Sequence, residues 1–160
     1  MNKQQLVHLI VDRLEADLDV AERAARTAYE AATHEENIAE NKYDTLGLEA
    51  SYLAAGQARR VEEIRQSLAQ YRKWSVRPFD EARGIQIGDL IALHPAQGPL
   101  QHFFLGPDGA GLKLATPDGV VTVITTRAPL GQTLLGKLAG EEVEILVNGT
   151  RQWFEIAQAS

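Results

Sequence analysis

Val7-His8-Leu9-Ile10-Val11-Asp12-Arg13-Leu14-Glu15-Ala16-Asp17-Leu18-Asp19-Val20-Ala21-Glu22-Arg23-Ala24-Ala25-Arg26-Thr27-Ala28-Tyr29-Glu30-Ala31-Ala32 is the stretch that decides the fold. Val7, Val11, Leu14, Leu18, Ala21, Ala25, Ala28 and Ala32 follow one another in alternating steps of four and three. That spacing is an unbroken coiled-coil seam. A second run, Ala50, Ala54, Gln57, Val61, Ile64, Leu68 and Tyr71, repeats it. The polar, mostly acidic stretch Thr33 to Asp44 lies between them. Two amphipathic helices joined in this way form an antiparallel hairpin. Opposed positions then have numbers that add to a constant, and Val7 with Tyr71, Leu14 with Ile64, Ala28 with Ala50 and Ala32 with Leu46 share one sum. This pairing puts the tip at about residue 39 or 40. Arms of roughly 30 residues, at about 1.5 Å each, reach roughly 45 Å. Large apolar residues mark the base and alanines the distal half, so the outer part is slender and buries little apolar area.

The composition bounds the rest. A chain of 160 residues suits one domain or two small ones. The absence of cysteine excludes disulfides and thiolate metal sites. Met1-Asn2-Lys3-Gln4-Gln5 leads straight into the heptads without a secretory signal, and no run is long enough to span a membrane. A soluble cytoplasmic protein is expected. The formal charge of −6 argues against general nucleic-acid binding.

After Trp74 the helical pattern stops at Arg77-Pro78-Phe79-Asp80. Short apolar runs follow, at 89–93, 102–105, 111–115, 120–124, 142–147 and 152–156, and their length and punctuation predict a small antiparallel sheet. Pro107-Asp108-Gly109 and Pro117-Asp118-Gly119 read as turns. A short helix is expected from Leu130 to Gly136, with Pro129 in its first turn. The fold class is α+β: a coiled-coil hairpin over 1–76 and a sheet domain with one short helix over 77–160.

Within that second half, Ile124-Thr125-Thr126-Arg127-Ala128-Pro129-Leu130-Gly131-Gln132-Thr133-Leu134-Leu135-Gly136-Lys137-Leu138-Ala139-Gly140-Glu141-Glu142-Val143 resembles the C-terminal signature of the Gre transcript-cleavage factors. In that family a Ser-Pro-Leu turn opens a short helix, followed by Leu-Leu-Gly-Lys and Gly-acid-acid-Val. Ala128 replaces the serine, and the other positions fit. Hairpin, linker and sheet domain also come in the family's order. The resemblance implies an FKBP-like sheet domain docked at the rim of the secondary channel of bacterial RNA polymerase, with the coiled coil inserted in the channel. It further implies a monomer that is not itself an enzyme. Pro129, Leu130, Leu134, Leu135, Gly136 and Lys137 are then the expected polymerase contacts, with nascent RNA a further neighbour. The family's tip carboxylates help hold a second Mg²⁺ in the polymerase active site, an ion that the free protein does not bind. In such two-metal sites one ion activates water and the other steadies the leaving oxygen.

The family tip carries two acids in Asp-Leu-Ser-Glu-Asn. Aligning Glu40-Asn41 on its last pair places Asn37 at the first acid, where a neutral oxygen replaces a charged one. Glu36 and Asp44 each lie four residues from Glu40 and are the expected substitutes. Glu40 and Glu36 are the candidate Mg²⁺ ligands, and Asp44 joins them as a catalytic candidate. Glu40 leads because the hairpin pairing and the alignment both put it at the end. The competing reading is that these acids only solvate a turn. A channel-binding modulator that competes with cleavage factors without cutting is the functional alternative.

Arg59, Arg60, Arg65, Arg72 and Lys73 give the second arm a basic side, suited either to RNA or to an ordinary coiled-coil surface. His8, His34, His94 and His102 show no metal-ligand spacing. Gly106 to Gly111 lacks the Lys-Ser/Thr of a phosphate loop and reads as a hairpin turn. A prolyl isomerase would need an aromatic pocket from Phe103, Phe104, Trp153 and Phe154, which read more simply as core.

Overall fold

The computed structural model describes residues 2–38 and 45–160. Helix α1 runs Lys3–Ile38 and α2 Thr45–Lys73. The strands are β1 Leu90–Pro95, β2 Gln101–Leu105, β3 Lys113–Thr116, β4 Gly119–Ile124, β5 Glu142–Val147 and β6 Thr150–Ala159, with helix α3 at Pro129–Leu134 between β4 and β5. Long N-terminal helices followed by a six-stranded sheet make the fold α+β. The chain forms two compact units, residues 11–69 and residues 1–10 with 70–160. The first turns of α1 and the last of α2, assigned to the hairpin by their heptads, therefore belong to the sheet unit.

In the hairpin unit the expected seam is the buried one. Leu14, Ala21, Ala28, Ala32, Val61, Ile64 and Leu68 are all less than a tenth exposed. Leu18, Ala25, Ala50, Ala54 and Gln57 are half-buried. The register differs from the expected one. Pairing Leu14 with Ile64 sets Arg65 beside Arg13, whereas Arg65 Nη2 reaches Glu22 Oε1 at 3.3 Å. A lateral groove is lined by Ala25 and Arg26 from α1 and Ala58, Val61 and Arg65 from α2. The arms are thus slipped by about one heptad, so that Ala21 lies near Ile64 and Ala25 near Val61. A repeat of seven is blind to a shift of seven, because every seam residue still meets a seam residue. The helix ends decide instead: with α1 ending at Ile38 and α2 starting at Thr45, the connection is centred beyond residue 40. Cysteines test this in a chain that has none of its own. Ala21→Cys with Ile64→Cys is expected to form a disulfide on mild oxidation, and Leu14→Cys with Ile64→Cys is not.

The sheet order is β3-β4-β2-β1-β6-β5. Neighbours are antiparallel except β2 and β4, which pair in parallel from His102↔Val121 to Leu105↔Ile124. The sheet is therefore mixed, a correction to the all-antiparallel expectation. Its cause is the segment 106–112, which is not a hairpin turn. It carries the chain past β4 to β3, and β4 then returns beside β2. Gly106 N–H donates to Ile124 O and Gly111 N–H to Val123 O, which fastens the segment to β4. One sheet face packs Ile91, Leu93, Leu105, Val143, Ile145, Phe154 and Ile156 with Leu134 of α3 and Ile85.

The linker and helix bases close the unit. Trp74 meets Phe104 edge-on, ring centroids 6.1 Å apart, and lies where a side chain on Gly88 would stand. The Tyr71 hydroxyl, almost wholly buried, donates to Asp108 O at 2.6 Å and fills the space beside Gly106. Burial first, then the Asp108 charge, push the Tyr71 phenol well above its ordinary range. An acid whose folded pKa is raised adds stability that is fully present below the unfolded value of about 10 and is lost as pH rises beyond it. Tyr71→Phe is expected to cost about 1 kcal/mol at neutral pH, for one hydrogen bond. It is also expected to flatten the fall in stability above pH of about 10, read from urea midpoints across pH.

Candidate functional site

Glu40 and Asp44, the leading tip residues, lie outside the described residues, as does the side chain of Glu36. The slipped register bears on them indirectly. Because the connection between the arms is centred beyond residue 40, pairing geometry no longer singles out Glu40, and its assignment rests on the alignment of Glu40-Asn41 alone. Among the described residues, no three His, Cys, Asp or Glu side chains gather to hold a metal ion.

The flanks of the hairpin are described. Tyr29, Leu48, Tyr52 and Leu53 on its distal half are each more than half exposed. On the basic side of α2, Arg60 lies 3.8 Å from Glu63 and Arg65 pairs with Glu22, so part of that charge is matched within the hairpin. His34 is exposed.

The signature segment 124–143 proves largely structural. Ala128 precedes α3 in an extended conformation and offers no side-chain cap; Pro129 takes the first helical turn. A serine there would accept from an unpaired N–H of that turn, so Ala128→Ser is expected to add about 0.5–1 kcal/mol to the sheet unit, read as a raised urea midpoint. Gly131 is buried, and a methyl group there would strike the Thr125 carbonyl. Leu134 is fully buried in the core. As a direct polymerase contact it is corrected: a side chain with no exposed surface cannot meet a partner. Gly136 adopts φ +77°, and its N–H donates to Ile85 O while Ile85 N–H donates to Lys137 O. A side chain on Gly84 would collide with the Gly136 carbonyl. These bonds stitch the end of α3 to the linker and explain why glycine stands at both positions. Pro129 and Leu135 are exposed, and Leu130 and Lys137 half-buried, so these carry the outward surface of the segment.

Sequence reading missed Asp89. Its side chain is fully buried, yet it receives Lys3 Nζ at 2.9 Å, Arg77 Nη2 at 3.2 Å and the Gln86 N–H at 2.8 Å. One carboxylate thus ties the start of α1 and the linker to the strand entry. Its partners are 86 and 12 residues away in sequence, so no local motif announces it. The aromatic pocket of a prolyl isomerase does not form. Phe154 lies in the core with Phe103 packed against it, Phe104 meets Trp74, and Trp153 is half exposed.

No protein-family model and no curated protein matches the chain. Solved structures do. GreA factor homolog 1 (Gfh1) of Thermus thermophilus is 15% identical over 94% of each chain, with a TM-score of 0.38. Gfh1 of Thermus aquaticus is 19% identical over 92% of each chain, with a TM-score of 0.40. The chain is similar to Gre-type transcription factors. A third match, the prokaryotic elongation factor GreA/GreB from Nitrosomonas europaea, is 16% identical over 69% of this chain and 89% of that one, with a TM-score of 0.34.

Proposed function

We propose that this protein is a Gre-like transcription elongation factor that enters the secondary channel of bacterial RNA polymerase and assists Mg²⁺-dependent cleavage of backtracked transcripts. The observation that carries the reading is the hairpin. Two helices of 36 and 29 residues bury a seam that passes from Leu and Ile to Ala along α1, and the sequence joining them carries Glu40 and Asp44. The signature segment supports it, because Gly131, Gly136 and the buried Leu134 in it each have a structural task in the sheet unit.

The donor set suits such a task. Glu36, Glu40 and Asp44 offer hard anionic oxygens, too few to complete a Mg²⁺ shell but enough to add one or two ligands to an ion that another protein already holds. Such an ion supplies an activated water and charge neutralisation when bound. The protein's own part is to deliver the carboxylates on a rigid arm. Exposed Tyr29, Leu48, Tyr52 and Leu53 would line the channel wall, and Pro129, Leu130, Leu135 and Lys137 would meet the rim. Asn37 at the family's first acidic position favours a second reading, a competitor for the channel that does not promote cutting.

A photo-crosslinking residue in place of Thr33 separates binding from non-binding. Adducts between it and the catalytic subunits of core polymerase, displaced by unmodified protein, are the expected result. Absence of adducts at saturating protein contradicts channel entry.

A further inference from the structure

The outer face of the β5–β6 hairpin sets exposed apolar side chains beside opposed acidic ones. Val143, Ile145, Phe154 and Ile156 point into the core, which turns the alternate residues outward. There Glu142 stands opposite Glu155, Glu144 opposite Trp153, and Leu146 opposite Arg151. Two features run against stability. Like charges directly across a ladder repel, so Glu142 and Glu155 weaken the pairing that they sit in. Glu144 Oε1 is shielded from solvent with no hydrogen-bond partner. Arg151 Nε lies 3.4 Å from that oxygen, within ion-pair range but outside hydrogen-bond geometry, and the Arg151 side chain is 77% exposed. Beside this loosely paired carboxylate Trp153 is 50% and Leu146 63% exposed. The Glu142–Glu155 repulsion and the loose Glu144–Arg151 pair leave this face acidic around an exposed indole.

We propose that this face docks a protein segment that carries arginine between apolar residues. A guanidinium supplies paired donors for the Glu144 carboxylate, neutralises the Glu142–Glu155 repulsion and stacks on the Trp153 indole. Apolar flanks of the segment cover Leu146. Charge selects this occupant over a second copy of the chain. β5 is the terminal strand of the sheet, and joining two copies along it would bring Glu142 and Glu144 of each into one row of like charges. The face is independent of the hairpin's role.

The probe is the peptide acetyl-Leu-Arg-Leu-Arg-Leu-amide, titrated into ¹⁵N-labelled full-length protein and followed by amide chemical shifts. Saturable shifts concentrated in residues 142–155 are expected, and a glutamine-for-arginine control peptide should produce none. Glu144→Gln, which keeps the shape, and Trp153→Ala are each expected to weaken binding about tenfold, the scale of one charge-assisted contact. Amide positions elsewhere in the spectrum report that each variant folds. Absence of shifts overturns the proposal. So do shifts spread equally over the acids of α1, or binding unchanged in Glu144→Gln.

Discussion

Glu40→Gln is expected to lower stimulated transcript cleavage by at least about tenfold, the scale of losing a supporting group at a metal site, while binding to polymerase changes less than about twofold. The substitution keeps shape and hydrogen-bonding capacity and removes one negative charge. Mg²⁺ discriminates strongly between an anionic and an amide oxygen, so the effect belongs to chemistry and not to docking. The measurement is a pair: the rate of 3′-fragment release at saturating factor, and the concentration that half-saturates it. A fall in affinity equal to the fall in rate would reassign Glu40 to docking. Glu36→Gln and Asp44→Asn then rank the remaining carboxylates. The largest loss at Asp44, with Glu40→Gln silent, would move the active end along the connection in the direction that the slipped register already indicates, and the largest loss at Glu36 would move it the opposite way.

Asp89→Asn is expected to be the most damaging single change to the sheet unit, at about 3 kcal/mol. Removing one partner from a buried ion pair leaves the other charge poorly solvated, and the usual cost is about 3–5 kcal/mol. The lower end applies because Lys3 and Arg77 retain some exposure, 12% and 30%, and can turn towards water. The amide still accepts the Gln86 N–H, so the loss reports the charge. Urea denaturation, with Lys3→Met and Arg77→Met for comparison, apportions it. Each cation variant is expected to cost less than Asp89→Asn, since Asp89 keeps one cation in both. Equal stability of Asp89→Asn and the parent would mean that the carboxylate's desolvation cancels its two ion pairs.

How legible was this molecule in its sequence? The seam was readable, because burial along two long helices imposes a period that no loop imitates. Its register was not, since Leu14 can face Ile64 or a residue one heptad away with equal apolar match. Only the length of the connection distinguishes the two, and apolar spacing does not encode it. All six strands were readable from short β-branched and aromatic runs. Their order was not: the parallel pairing of β2 with β4 depends on a glycine-rich segment that bonds sideways to β4, and in sequence it looks like any hairpin turn. The Asn148-Gly149 turn between β5 and β6, with both residues at positive φ, is a local hairpin signal that the sequence reading passed over. Asp89 was illegible for the opposite reason: its partners are distant and individually ordinary. The signature at 124–143 was legible as a resemblance, and the structure supplies its physical content. Gly84 and Gly136 permit a close backbone approach, and Leu134 fills the core beneath it.

The measurement that tests the central claim most directly is RNA release from a defined backtracked elongation complex of bacterial polymerase, in Mg²⁺, with and without this protein. The account predicts faster appearance of short 3′ fragments, saturable in protein and dependent on Glu40. No acceleration, together with no protection against an added cleavage factor, would contradict it.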